Sequence, residues 1–483
     1  MTLKRIAPVL SLIALLGLTI GGAQAQTEST LIVGPGAPFE TIDAALAAAV
    51  DGDIIEVRGG QYDAPLLIEK SVTLRGVDQP VIDGHGEGSL VFINAPDVRF
   101  EGFTVRSSGA NVNHEDTGII VQAPRVTLAD NRIEDVLFGI YFAEANDGVA
   151  SGNDVRCYDR ELGLRGDSFR VWFSNRVTLS GNTSVDCRDT LIWYAQDITI
   201  TDNIFSDGRY GLHFMYSGNA TIENNTFEGN SVGSYLMYSQ NLTIRENHIV
   251  QNRGPSGYGI ALKDMDYVTL QNNLLVGNRA GIYIDNSPAL IDATNSITDN
   301  FIAYNDIGFA GLPSTARNDV RDNTFLENTQ QVSVLGRGNL LANTWSQNFW
   351  SNYVGYDGDG DGTGDVPYRA EKLFESLMDD EPALRLFLYS PVSQAIDFAA
   401  SAFPSLRPDP KVIDEAPAMH YTIPAAADQS AQGDGLALFL AAGALIVLGG
   451  GVVVGGISRQ STARRARVSS HPPSRLTPES GAS

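Results

Sequence analysis

Between Leu128 and Phe325 one short phrase keeps returning: an apolar residue, two polar residues, Asn, and then a pair that resumes an apolar alternation. It is spelled LADNRI, ASGNDV, LSGNTS, ITDNIF, IENNTF, IRENHI, LQNNLL, ITDNFI and VRDNTF. The asparagines are Asn131, Asn153, Asn182, Asn203, Asn225, Asn247, Asn273, Asn300 and Asn323, at separations of 22, 29, 21, 22, 22, 26, 27 and 23. A period near 22 with loop-sized insertions marks a stacked repeat. Within each unit, short alternating apolar segments are divided by Gly, Asn and Asp, which is strand and turn chemistry. The unit is too short for a pair of helices or a four-stranded propeller blade. It predicts an all-β chain, one coil of a right-handed parallel β-helix per repeat, with the repeated Asn stacking as a ladder of amide hydrogen bonds.

The flanks fit the same solenoid. Phe39 to Val50 (FETIDAALAAAV) predicts an amphipathic helix whose Ile42, Leu46 and Ala49 or Val50 cover the first coil and hide its open edge. DIIEVRGGQYD and SVTLRG supply the first strands, and the coils run to about Trp350. The β-helix then spans residues 26–350, a capping segment with an Asp/Gly-rich loop 351–412, and a linker 413–435.

Alternation also orients single residues. The segments GLHFM, GSYLM, GIALK and GIYID begin at Gly211, Gly233, Gly259 and Gly281. Period two sends Leu212, Phe214, Leu236, Ile260, Leu262, Ile282 and Ile284 inward. His213, Met215, Tyr235, Met237, Lys263, Tyr283 and Asp285 face out. Adjacent coils are about 4.8 Å apart. Met215 therefore sits under Met237, with His213 on the same strand, Trp193 one coil below in the same column, and Met265 just past Lys263.

The two ends of the chain change the picture. Lys4 and Arg5, an apolar run to Ile20 and Ala23-Gln24-Ala25 read as a secretory signal peptide over residues 1–25. A second uncharged apolar stretch, 436–457, is long enough to span a bilayer. Arg459, Arg464, Arg465 and Arg467 follow it, so the positive-inside rule makes 458–483 a basic cytoplasmic tail. The solenoid is then expected in a bacterial periplasm, tethered to the inner membrane. A formal net charge of −24 argues against nucleic acid as a partner. No GxxxxGK[ST] motif is present, so this chain is not itself a P-loop ATPase.

Outward methionines beside a histidine suit a soft ion such as Cu(I), making His213, Met215, Met237 and Met265 candidate copper ligands. The same column also fits packing against a partner, with Trp193, Tyr235 and Lys263 as its surface. A carbohydrate face, with Trp193, Tyr235 and Tyr283 as stacking platforms, is a third possibility. Asp357, Asp359, Asp361, Thr363 and Asp365 occupy alternate places in a calcium-type loop with Gly362 at its sixth position. Tyr368 stands where a bidentate Glu is expected, so a solvated acidic turn competes with calcium. Cys157 and Cys187 lie in neighbouring coils; a disulfide suits an oxidising compartment better than a thiolate copper site. Met419 and His420 fall in the linker. Arg156, Arg160, Arg165 and Arg170 form a basic loop that could dock an acidic partner. The alternative from another class is a β-helix polysaccharide lyase or epimerase using His213, Tyr235, Arg209 and Lys263. Against it stand the acidic composition and the lack of a basic groove.

The GLHFMYS coil, the LMYS coil after it, and NFWSNYVGYDGDGDGTGDVPY followed by LFLYSPVSQAIDFAASAFPSLRPDP resemble the NosD family, periplasmic accessory proteins in the maturation of nitrous oxide reductase. The resemblance covers roughly residues 30–410. It implies a non-enzymatic role in supplying copper to the apo-reductase, with an ABC-type ATPase and membrane subunit as partners and room for a copper-donating lipoprotein. The span at 436–457 is an addition to that pattern, and a tether suits a membrane transporter partner.

Overall fold

The structure, a computed structural model, describes residues 29–421. The expected signal peptide and membrane span lie outside the described residues. Among the described residues no helix is long and apolar enough to cross a membrane. The chain winds as a parallel β-solenoid of three sheets, with 14, 12 and 13 strands. A representative coil gives Gly218–Glu223 to the first sheet, Thr226–Glu228 to the third and Val232–Met237 to the second. Each strand pairs in parallel with its counterpart one coil away, as Gly218–Glu223 does with Gln240–Arg245. Leu212, Phe214, Leu236, Ile260, Leu262, Ile282 and Ile284 are all buried in the continuous core. Short alternating strands suffice because each coil buries its apolar face on two neighbours, at about 1.5–3 kcal/mol per large side chain.

The repeated Asn turns the chain between the first and third sheets. The residue before it adopts a left-handed conformation: Asp130, Gly152, Gly181, Asp202, Asn224, Glu246, Asn272, Asp299 and Asp322 all have φ between 52° and 64°. Gly, Asn and Asp tolerate that region best, which explains the polar pair in the phrase. Each ladder Asn is buried and bonded to the next coil. Asn225 Nδ2 donates to Asn247 Oδ1 at 3.0 Å and to the Ile200 and Glu223 carbonyls, while its Oδ1 accepts from the backbone and side chain of Asn203. Two further asparagine ladders, Asn230 through Asn252, Asn278 and Asn305 to Asn328, and Asn295 through Asn318 to Asn343, line other corners.

Both ends are capped. Helix α1, Ile42–Ala48, starts at Thr41, whose hydroxyl accepts from Ala44 N at 3.2 Å. Ile42, Ala45, Leu46 and Ala49 are buried, whereas Val50 is exposed. Lys70 closes the helix by donating to the carbonyls of Leu46, Ala47 and Ala49. At the far end Asp414 finishes the main ladder: its Oδ2 accepts from Asn348 N and Nδ2 and from Trp350 Nε1. Ile413–Asp414 pairs antiparallel with Tyr368–Arg369, and Ala418 bridges Phe349 and Thr363. Residues 413–419, read as linker, thus belong to the cap. Helices α2, Leu373–Asp380, and α3, Pro391–Ala402, pack beyond it. The buried Lys411 meets Asp379 at 2.5 Å there.

Cys157 and Cys187 form a disulfide between successive coils, Cα atoms 4.9 Å apart. The basic loop is not a free cationic patch. Arg170 binds Glu115 and Asp167, and Arg156 and Arg165 both meet Asp186.

Candidate metal centre

The outer surface of the second sheet carries two columns of side chains. One runs Tyr141, Arg170, Leu191, His213, Tyr235, Ala261, Tyr283; the other runs Trp172, Trp193, Met215, Met237, Lys263, Asp285. Met215 and Met237 are direct register partners, as are Trp193 and Met215. His213, Met215, Tyr235, Met237, Trp193 and Lys263 are each half-buried.

Two expected members are placed differently. Met265 is 0% exposed and lies in the core. Asp264 takes a left-handed turn at φ 49°, so the residue after it points inward. The equivalent position in other coils holds Ala145, Ser174, Ala195, Ser217, Ser239 and Ser287, all buried. Met265 therefore cannot share a site with Met215. Tyr283 is only 8% exposed, stacked on Tyr258 with ring centroids 4.2 Å apart.

His213 stands out chemically. Both its ring nitrogens are closed off from solvent and make no hydrogen bond. Nδ1 lies 3.7 Å from Asp189 Oδ2, an ion-pair separation, and Tyr210 packs edge-on at 5.0 Å. A buried imidazole that makes no hydrogen bond needs an explanation, and metal binding is one. Burial works against ionisation of Asp189, yet His213 and Arg209 beside it hold the carboxyl below its usual range. Two thioethers and an imidazole on adjacent rungs offer soft donors that suit Cu(I) and disfavour Ca²⁺ or Mg²⁺. At the upper end of the Met column Lys263 donates to Asp285 at 2.7 Å, and that contact keeps its ammonium protonated.

A third column had no counterpart in the sequence reading. Phe173, Tyr194, Tyr216 and Tyr238 occupy the corner next to the Met column, each with φ between 47° and 54°. They are 48%, 39%, 43% and 37% exposed. Their rings stack coil on coil at 4.7, 5.2 and 5.1 Å, within 14° of parallel. Bulky residues are uncommon in the left-handed region. The neighbouring coils place Glu144, Asp264 and Asn286 at this corner. The signal was present in WYAQ, MYSG and MYSQ, where an aromatic residue precedes a small buried one. It also explains the Met-Tyr-Ser repeat: Met faces out, Tyr turns the corner, and Ser is a buried rung, with Ser217 N donating to Ser239 Oγ at 3.0 Å. Because the rings stack on one another, the column offers a partner chiefly ring edges and the tyrosine hydroxyls. Trp193 is held beside Tyr194, ring centroids 5.8 Å apart, and edge-on to Trp172.

In the acidic loop, one oxygen each from Asp357, Asp359 and Asp361 lies within 4.8 Å of the others. Asp357 already accepts from the backbone of Gly360, Asp361 and Gly362, which lowers its pKa. Asp365 accepts from Gly358 N, and Thr363 is held in the bridge to Ala418. Tyr368 is buried against Trp350 and supplies no ligand. Met419 is half-buried, its N–H on the Gly362 carbonyl, and His420 is exposed; both sit at the acidic loop's end of the solenoid.

The sequence profile of a family described as "Periplasmic copper-binding protein (NosD)" matches residues 151–355, which include both methionine coils. The "Probable ABC transporter binding protein NosD" of Stutzerimonas stutzeri is 26% identical over 377 residues, covering 74% of this chain and 85% of that protein. The protein of the same name from Pseudomonas aeruginosa is 29% identical over 398 residues, covering 77% and 90%. The chain is thus similar to the NosD family over that stretch and to these two relatives over most of its length. Among solved structures, the chain is similar to the A-module of the Azotobacter vinelandii mannuronan C-5 epimerase AlgE6, at 15% identity and a TM-score of 0.44, over 62% of this chain and 92% of that one. A mannuronic acid specific polysaccharide family 6 lyase from human gut microbiota gives 13% and 0.47, over 68% and 89%.

Proposed function

We propose that this protein binds Cu(I) outside the cytoplasm and passes it to apo nitrous oxide reductase, working with an ABC-type ATPase and its membrane subunit. The observation that carries the reading is the Met215–Met237 register pair beside a histidine whose ring nitrogens make no hydrogen bond. The family description and the names of the two relatives support the copper and transporter parts. Copper is cargo here: two thioethers and one imidazole bind Cu(I) selectively without adding charge to the site. The exposed edges of Phe173, Tyr194, Tyr216 and Tyr238 lie beside the donors and give the receiving protein a contact surface, since Tyr and Trp dominate such interfaces. The apolar stretch 436–457 would hold the solenoid near its membrane partner. The Asp357 loop, if it takes calcium, serves the cap rather than copper transfer.

The lyase or epimerase alternative is weaker on chemical grounds. Burial pushes the Tyr235 phenol up to about 12, so it is a poor base at neutral pH. Arg209 is bound to Asp189, and Lys263 to Asp285. An anaerobic Cu(I) competition titration of the full chain against the Met215→Ala/Met237→Ala variant tests the proposal. Tight binding by the wild type, lost in the variant, is expected. Equal binding by both would refute this site, and turnover of a polyuronate to an unsaturated product would restore the enzyme reading.

A further inference from the structure

We propose that Trp193 is part of the copper site, its indole closing the site from the coil below and holding Cu(I) by a cation–π contact. The inference rests on the copper reading above. Three observations carry it. Trp193 is the register partner of Met215, on the same outward column, so the indole is the next group below the thioether. Its Nε1 is buried with no acceptor, although a buried tryptophan usually finds one. The ring is fixed, with Trp172 edge-on at 4.7 Å and Tyr194 stacked at 5.8 Å. The hydrogen-bonding edge of this tryptophan is thus unused while its ring is held in place beside soft donors.

Electrostatics points the same way. The opposite end of the column is Lys263, a cation engaged with Asp285 and Asp264. A monovalent metal near Met237 meets a like charge above it. Below Met215 it meets an indole, the best of the aromatic cation acceptors. The column is therefore asymmetric, and the favourable place for the ion is toward His213, Met215 and Trp193. An indole over the ion also excludes the water and oxidant that convert Cu(I) to Cu(II), which a thioether site holds poorly.

The test uses the full-length protein in detergent and Ag(I) as a redox-silent stand-in for Cu(I), read by tryptophan emission and near-ultraviolet difference absorption. Wild type should bind one equivalent, with quenching and a difference band on the red edge of the indole absorption. Trp193→Leu should still bind, with affinity about tenfold weaker and no band. Trp193→Phe should retain part of the affinity, and Trp172→Phe should keep the band. Loaded anaerobically with Cu(I) and then exposed to air, Trp193→Leu should oxidise faster than wild type. Unchanged affinity, band and oxidation rate in Trp193→Leu, with binding still lost in Met215→Ala/Met237→Ala, overturns the role of Trp193 alone. Absence of metal binding by the wild type overturns the copper reading together with this inference. Thermal midpoints of each variant separate loss of the site from loss of the fold.

Discussion

Two corners of the solenoid solve the same backbone problem with different residues. Where the first sheet turns into the third, the left-handed position is taken by Asp, Asn, Gly or Glu, and a buried Asn follows in coil after coil. Where the second sheet ends, four consecutive coils put Phe173, Tyr194, Tyr216 and Tyr238 at the left-handed position and leave them exposed. The first corner places each residue type where its conformational cost is lowest and satisfies every buried amide. The second accepts a cost of about 1 kcal/mol or more per residue for bulky side chains in that region. It gains exposed ring edges beside Met215 and Met237. The uniform corner is scaffold, while the aromatic one borders the face that carries the methionines.

Substitutions can break this contrast, beginning with the largest effect. Asn225→Leu leaves the Asn203 N–H without its acceptor and removes one donor each from the Ile200 and Glu223 carbonyls and from Asn247 Oδ1. We expect a loss of at least about 3 kcal/mol in urea unfolding, because each buried orphan costs about 1–3 kcal/mol. A loss below about 1 kcal/mol would mean that the ladder does not hold the corner. Cys157→Ala/Cys187→Ala opens a bridge across a separation of 30 residues, and a loss of about 3 kcal/mol is expected by the same measurement. On the working face the sign of the contrast reverses. Met215→Leu/Met237→Leu should alter stability by less than about 1.5 kcal/mol, since the swap conserves volume. The same variant should lose Cu(I) affinity about 100-fold or more in competition titration.

Acid titration probes the anchor of His213. The Asp189 carboxyl is held below its ordinary range, so its stabilising contribution is complete above its unfolded pKa of about 4 and is lost as pH falls through the lower folded value. The stability gap between wild type and Asp189→Asn should be full at neutral pH and close below about pH 4. A gap that is constant with pH would show that Asp189 acts through packing rather than charge. The smallest effect is expected from Tyr216→Asn. Relief of the left-handed strain and loss of two ring stacks nearly offset, leaving a change within about 1 kcal/mol. Partner binding should weaken all the same, which a pull-down with the apo-reductase would measure.

Much of the scaffold was legible because its signals are local and repeated. The Asn phrase states the coil length, and period-two alternation states which side each residue faces. That was enough to place Met215 under Met237 and to bury Leu212 and Phe214 correctly. It failed at Met265 and at the Tyr column for one reason. Alternation assumes extended backbone, and a left-handed residue resets it, turning Met265 inward and Tyr216 out. The corner was missed because an aromatic residue before a small one repeats in the sequence without stating a φ near 50°.

By itself the sequence determined the repeat, its inward and outward sides and the soft chemistry of one face, since these follow from spacing and residue type. Only the tertiary structure decided which neighbours meet across coils. It set Trp193 against Met215, joined Cys157 to Cys187, and tied Asp414 to the end of a ladder 66 residues earlier. It also left the His213 ring nitrogens without a hydrogen bond. These are contacts between residues 20 or more apart, and their register depends on where each loop lets the next coil begin.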